Sequence, residues 1–335
     1  MKKNKRIRIL VTGGTGFIGS ALVRRLVQEG FKVRVLDNNS RGGSERLSDV
    51  SDEIEFCRAD IRDAGKVSRA CKGVDCIFHL AYVNGTEFFY SKPELVLDVG
   101  VKGMMNVLDA CASHRIREMV LVSSSEVYQT PPYVPTDEKV PLSVPDPYNP
   151  RYSYGGGKII SELLLINYGR KYFDRAQIIR PHNVYGPDMG WEHVIPQFSL
   201  RLMDLIRNDS GKAGTALGFG IQGSGRETRA FIYIDDFVDG FMAVYGKGEK
   251  HSIYNIGTMD EISVANLARK VAAVAGRRIR IIPGELQKGG TPRRCPDTAK
   301  SGKLGFRPGI SMEEGLQRTF SWYRVNSPAR SAGRE

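Results

Sequence analysis

The sequence has no stretch approaching about 18 consecutive apolar residues, so no membrane-spanning helix is predicted. Its basic start (Lys2, Lys3, Lys5, Arg6, Arg8) is followed only by the short apolar run Ile7–Val11, which enters glycines at once. A secretory signal would carry an apolar region of about 7–15 residues, so none is expected. Cysteine is scarce: Cys57, Cys71, Cys76, Cys111 and Cys295 are odd in number and contain no C-x-x-C pair. That excludes a disulfide framework, offers no metal site and reads as reduced thiols in a cytoplasmic protein. No nucleic-acid recognition module accompanies the excess of positive charge. With 49 Lys plus Arg against 37 Asp plus Glu, the net charge is +12. This reads as basic tails and solvated faces, with an anionic nucleotide or phosphorylated substrate as the natural partner. No internal repeat is present, and 335 residues suffice for a full core.

What is there is a rhythm. Strands are predicted at Ile7–Val11, Lys32–Leu36, Ile54–Cys57, Cys76–Leu80, Met119–Ser123 and Gln177–Arg180. Helical periodicity lies between them, notably over Leu95–Ala112 and Gly157–Tyr172. Strand–helix alternation of this kind predicts a doubly wound parallel α/β sheet, which binds ligands at the carboxyl ends of its strands. After Pro181 the pattern loosens into glycine-rich loops (Gly211–Gly225) and helices at Val194–Arg207, Asp235–Tyr245 and Val264–Ala275. Residues 129–150 and 284–297 read as loops, and Ser252–Asn255 as a strand able to return to the main sheet. The expected division is 1–181 for dinucleotide binding and catalysis, 182–325 mainly for substrate, and 326–335 as a frayed tail.

Between the first strand and the first helix lies Gly13-x-x-Gly16-x-x-Gly19. Gly13 and Gly16 permit a tight turn and close approach to a pyrophosphate, and Gly19 lets the helix pack on the sheet. The helix N-terminus then offers free N–H groups to the phosphates. Asp37, at the end of the second strand, can accept hydrogen bonds from both ribose hydroxyls and repel a 2′-phosphate, which favours NAD over NADP. Asp60, after the third strand, either reaches an adenine amine or caps the helix before Ala64.

Tyr154 and Lys158 form a Y-x-x-x-K pair, whose members share one face of a helix. An ammonium beside the phenol makes tyrosinate more accessible. Ser123-Ser124-Ser125-Glu126-Val127-Tyr128 follows a strand at the expected carboxyl edge, where a hydroxyl can hold a substrate hydroxyl against Tyr154.

Together these motifs resemble the extended short-chain dehydrogenase/reductases, the NAD-dependent nucleotide-sugar epimerase/dehydratase group. The matching pieces are T-G-G-T-G-F-I-G at 12–19, H-L-A at 79–81, S-S-S-E-V-Y at 123–128, Y-x-x-x-K at 154–158, R-P-H-N-V-Y-G-P at 180–187 and T-R-A-F-I-Y-I-D-D at 228–236. The resemblance implies a Rossmann-type sheet with a smaller mixed α/β C-terminal region, and tightly held NAD. Ser124, Tyr154 and Lys158 would be the catalytic triad, with Glu126 as a further catalytic group. Phe17, Ile18, Asn38, Ile61, Leu80, Ala81 and Pro181 would join Gly13, Gly16, Gly19, Asp37 and Asp60 around the cofactor. Ser125, Asn183, Arg229 and Arg294 would contact a UDP-, GDP-, CDP- or dTDP-linked sugar. A homodimer through a four-helix bundle is also implied.

Tyr154 would take the C4 hydroxyl proton while hydride leaves C4, giving a transient 4-keto sugar. Glu126 resembles the decarboxylases and 4,6-dehydratases of the group, and Arg293-Arg294-Cys295-Pro296-Asp297 resembles the decarboxylases. Decarboxylation, 4,6-dehydration and 4-epimerisation stay open, as do a non-catalytic NAD-binding regulator and a plain NAD(P)-dependent reductase. The departures from the group's pattern are Gln129 and Gly100 in place of its usual glycine and asparagine, and Asp188 where its decarboxylases carry arginine. The triple glycine 155–157 is unusual, and the segment Met189–His193 is distinctive. Within it, Trp191 suits either stacking on a base or sugar or core packing, and His193 either acid–base work or the surface.

Overall fold

The computed structural model describes residues 7–209, 216–285 and 291–327. The expected tail from residue 328, the 211–215 part of the glycine-rich loop and residues 286–290 lie outside them.

Each predicted strand forms, within one or two residues at either end: β1 (Arg8–Thr12), β2 (Lys32–Asp37), β3 (Ile54–Arg58), β4 (Cys76–His79), β5 (Glu118–Val122) and β6 (Arg175–Pro181). The strand His251–Ile256 returns to the edge beside β6. Among the described residues these seven strands form one sheet, paired in parallel, in the order His251–Ile256, β6, β5, β4, β1, β2, β3.

Alternation explains the layers, because successive side chains of a strand point to opposite faces. Ile9 and Val11 of β1 pack with Leu22 and Leu26 of the helix Phe17–Gln28 and with Phe241 of the helix Ile234–Lys247. Leu10 packs on the other face with Val67, Val107 and Leu165. Full burial of each such side chain contributes about 1.5–3 kcal/mol. With helices on both faces, the central strands β1, β4 and β5 carry continuous apolar runs rather than alternating ones. β1 is flanked by β2 and β4, so connections leave it in opposite directions, and a crevice opens at the carboxyl ends.

Two helices differ from expectation. The Tyr/Lys helix runs Tyr152–Tyr172, five residues earlier than periodicity suggested. A turn precedes it, the Asn149 side chain accepting from the N–H of the cap residue Arg151 at 3.0 Å. The helix near Leu95 is continuous from Pro93 to His114, but through a π-turn at Asp98–Lys102 that contains Gly100. The later segments form small sheets: Val184–Tyr185 with Ile232–Tyr233, Leu217–Ile221 with Ile279–Pro283, and Thr228–Ala230 between Glu261–Ser263 and Arg293–Arg294. No helix among the described residues is long and apolar enough to cross a membrane.

Candidate active site

The cleft starts at the glycine turn. Gly13 has φ +74°, and a Cβ there would lie 2.6 Å from the Ala81 backbone nitrogen. A side chain at Gly19 would strike the Gly13 carbonyl. Both positions therefore require glycine, and the turn presents bare backbone to the crevice. Asp37 is buried and accepts from the Thr15 N–H at 3.0 Å and the Asn39 N–H at 2.8 Å. Asn38 donates to Asp60, whose carboxylate also takes Arg62. The Arg62 hydrogen bonds hold the Asp60 carboxyl down to about 2. The cap of the following helix is Asp63, not Asp60. One wall of the cleft is made by Gly13, Gly16, Asp37, Asn38, Asp60, Ile61, Leu80 and Ala81.

The same cleft continues past Phe17, Ile18 and Gly19 to Ser124, Ser125, Glu126, Tyr154, Lys158, Pro181, Asn183 and Arg294. Sequence positions far apart thus meet in one groove. Ser124 caps the short turn Ser125–Tyr128, its hydroxyl accepting from the Glu126 N–H at 3.1 Å. Burial pushes the Tyr154 phenol well above its ordinary range, and the neighbouring Ser124 hydroxyl works against that. Tyr154 is stacked on Phe89, which no sequence signal picked out. Lys158 is buried and donates to the Val122 carbonyl at 2.8 Å. Burial pushes its ammonium down to about 7, opposed by Glu162 one turn along the helix. Glu162 in turn receives the buried Arg180 of β6 at 2.9 Å, tying the helix to the sheet.

Glu126 is ion-paired with Arg294, which also donates to Thr291 Oγ1 at 3.1 Å. Burial alone would raise the Glu126 carboxyl; Arg294, with Arg151 and Arg229 near, reverses this and holds it below its ordinary value. Arg151, to which the sequence assigns no role although Pro150-Arg151-x-x-Tyr154 resembles the decarboxylases and 4,6-dehydratases, lines the cleft. Arg229 turns away, donating to the carbonyls of Thr228 and Thr291, both at 2.7 Å. Burial and the neighbouring Arg294 push it down to about 10. Asn183, at φ +44°, spends its amide N–H on the Ala230 carbonyl at 2.7 Å.

The departures find physical partners. Gln129 is held at φ +50°, where the group's usual glycine would sit easily. Its side chain fills the space over Gly155, where a Cβ would strike it and would lie 2.9 Å from the Glu126 carbonyl. Asp188, at φ +59°, takes Arg46 in a two-pronged pair at 2.6 and 2.7 Å. Arg46 also donates to the Thr15 carbonyl at 3.2 Å, so the pair ties the glycine turn to the segment after Pro187. His193 lines the cleft and burial lowers it. Trp191 packs against Trp322 and Tyr323 of the C-terminal helix.

A doubly wound parallel sheet with a glycine turn, an acid at the end of β2 and a Ser–Tyr–Lys cluster in one cleft defines a dinucleotide-dependent enzyme. Residues 9–257 match the NAD dependent epimerase/dehydratase family, and the chain belongs to that family. It is 33% identical over 333 residues to the UDP-glucose 4-epimerase of Mycolicibacterium smegmatis, covering 96% of this chain and 100% of the relative. It is 29% identical to the UDP-N-acetyl-alpha-D-glucosaminuronate decarboxylase of Bacillus cytotoxicus, covering 95% and 98%. A dTDP-glucose 4,6-dehydratase from Streptomyces venezuelae, solved with NAD bound, superposes with a TM-score of 0.83 at 31% identity, over 96% and 98% of the two chains. The chain is an NAD-dependent enzyme of nucleotide-sugar epimerase, dehydratase and decarboxylase type.

Proposed function

We propose that this enzyme oxidises C4 of a nucleotide-linked sugar through Tyr154, Lys158 and Ser124. The observation that carries the reading is the meeting of these three with the glycine turn in one cleft. The NAD site suits its occupant: the turn at Gly13 and Gly19 has no room for side chains, and the buried Thr15 and Ser123 hydroxyls beside it have no partner among the described residues. Gly13, Gly16, Phe17, Ile18 and Gly19 would cradle the pyrophosphate. Asp37 would take the adenine ribose, with Asn38, Asp60, Ile61, Leu80, Ala81 and Pro181 around the rest. When bound there, NAD would supply a reversible acceptor for the hydride from C4. Ser124 orients the C4 hydroxyl, and Tyr154 as phenolate takes its proton as the C–H bond breaks. Lys158 supplies the positive charge that makes the phenolate accessible.

Ser125, Asn183, Arg229 and Arg294 are the proposed sugar and diphosphate contacts. Arg229 would reach the diphosphate only by leaving its carbonyl partners. The guanidinium surplus around Glu126 favours an anionic sugar, hence decarboxylation of a nucleotide-linked hexuronate after C4 oxidation. An ionised Glu126 could take the C5 proton of a 4,6-elimination but could not protonate the departing C6 hydroxyl. The second reading is 4-epimerisation, favoured because Arg294 is already engaged by Glu126 and Thr291. We further propose the division at residue 181, a cytoplasmic location in keeping with the five free thiols, and a homodimer. Leu97, Ile160, Leu163 and Ile166 are exposed on two neighbouring helices and would form its apolar face. Leu163→Glu should then lower the sedimenting mass by half.

The test is a product assay with UDP-glucuronate, UDP-glucose, UDP-N-acetylglucosamine, GDP-mannose, and CDP- and dTDP-glucose, read by mass and sugar NMR. Loss of carbon dioxide establishes decarboxylation. Unchanged mass with inverted C4 establishes epimerisation. Loss of water would overturn the reading of Glu126, and NADH released in proportion to substrate would overturn the closed redox cycle.

A further inference from the structure

We propose that Tyr82 is a positioning residue for Lys158, its ring face holding the ammonium while its hydroxyl is keyed into a slot formed by Gly100 and Gly157. The inference rests on the proposed role of Lys158 and extends it. Tyr82 follows Leu80 and Ala81 where β4 opens into the crevice, and it lines both the glycine-turn and the Tyr154 parts of the cleft. The Lys158 Nζ stands 4.0 Å from the centroid of the Tyr82 ring. The ring meets Tyr154 edge to face, centroids 5.2 Å apart at 85°. Tyr82 therefore touches both members of the Y-x-x-x-K pair at once.

An ammonium has three N–H directions, and Val122 takes one. The π-face, with its negative quadrupole, stabilises the charge in another. The ionisable groups around Lys158 are Tyr82, Tyr154, Glu162 on its own helix and His79 at the end of β4.

The slot explains two departures that the sequence left without a reason. A Cβ at Gly100 would collide with the Tyr82 hydroxyl and with its ring carbons Cζ and Cε2. A Cβ at Gly157 would collide with the hydroxyl alone and would sit 3.5 Å from Cζ, an ordinary contact. The Tyr82 hydroxyl itself is buried with no partner among the described residues. Burying an unpartnered hydroxyl is costly, so the ring must contribute something that offsets it.

The experiment has a kinetic and a steric arm, both on the full chain. In the product assay, Tyr82→Leu keeps bulk but loses the π-face. It should lower kcat about two- to thirty-fold, the worth of one cation–π contact, with KM for the nucleotide sugar moving much less. A less favoured Lys158 charge leaves Tyr154 harder to ionise, so the acidic limb of kcat should move to higher pH. Tyr82→Phe should recover most of what Tyr82→Leu loses. Parent-like kcat and pH profile in Tyr82→Leu, or equal losses in the two variants, would overturn the positioning role.

In the steric arm, Gly157→Ala should lower Tm, and adding Tyr82→Phe should restore it. Gly100→Ala should lower Tm without such restoration, because the ring carbons still collide. The same loss in Gly157→Ala with and without Tyr82→Phe would overturn the slot. Tm reads the slot whether or not a nucleotide sugar is turned over, so failure of the slot and failure of the proposed reaction are separate results.

Discussion

The ring of Phe89 lies nearly parallel to that of Tyr154, centroids 4.8 Å apart and planes at 22°. Phe89 sits on a short helix that packs against the Tyr/Lys helix, and it is 7% exposed. It fixes one face of the phenol while Tyr82 meets the other direction edge-on. Phe89→Ala should cost about 3–5 kcal/mol of stability and let the phenol swing. Phe89→Leu, gentler on the fold, should lower kcat about ten-fold or more with NAD still bound, because small misplacements of a reacting group are expensive. Parent kcat in Phe89→Leu would show that the stack does not orient Tyr154.

Tyr154→Phe removes the oxygen that is to take the proton and little else. Turnover should fall by about 10²–10⁴, the usual worth of a general base. The variant should still fold and retain NAD, checked by absorbance of the cofactor after denaturation. Near-parent turnover would remove Tyr154 from the chemistry.

Arg294→Met leaves the Glu126 carboxylate to its burial. Since Arg294 is the largest influence holding Glu126 below its ordinary value, its loss should let the carboxyl rise. The pH at which Glu126 protonates, followed by NMR or through the acidic limb of activity, should move upward. An unmoved titration would mean that Arg151 and Arg229 alone hold the charge.

Asp37→Ala should weaken NAD about ten- to a hundred-fold, the worth of one or two hydrogen bonds to a charged group. The loss should appear in direct binding to the stripped protein. The variant also frees the Thr15 and Asn39 N–H groups, so a small fall in Tm is expected. Unchanged affinity would take Asp37 out of the ribose site.

His79 and His182 are buried, and burial brings each from the ordinary 6.5 down to about 3. Lys158 adds to this at His79; at His182 a hydrogen bond donated to the Asn255 side-chain oxygen opposes it while Arg294 and Arg180 add to it. Below pH about 6.5 the unfolded chain takes up protons that the folded one refuses. Stability is therefore kept above about 6.5 and lost progressively towards about 3. Urea midpoints from pH 4 to 7 should show a shallower slope for His182→Gln than for the parent. Parallel slopes would refute the burial argument.

The sheet was legible because β1, β4 and β5 are continuous apolar runs between turn signals, and the outer strands keep enough apolar residues to be read beside them. The glycine turn, Asp37 and the Tyr–Lys spacing were legible because each is a local pattern with a local reason. Phe89 and Arg46 were not, since nothing near them in sequence marks them, and Tyr82, though it follows His79-Leu80-Ala81, carries no mark of its own. Their roles come from contacts with residues far along the chain: Tyr82 with Gly157, and Arg46 with Asp188. Gly100 and the triple glycine could be seen as unusual, but their reason, a phenol wedged between two helices, is tertiary. The start of the Tyr/Lys helix was placed late because three glycines outweigh helical propensity in a local reading, whereas packing decides in the fold.

The strand His251–Ile256 closes the sheet beside β6, and the Ile234–Lys247 helix covers the face behind it. During synthesis, then, β6 emerges with an open hydrogen-bonding edge that cannot be filled until residue 256 has left the ribosome. A nascent chain stalled anywhere between carries a strand paired on one side only, the kind of edge that recruits other chains. The same lack of an exit point means that a fragment ending at Pro181 would expose that edge permanently. The order of the chain thus makes the residues after 181 a guardian of the solubility of those before it.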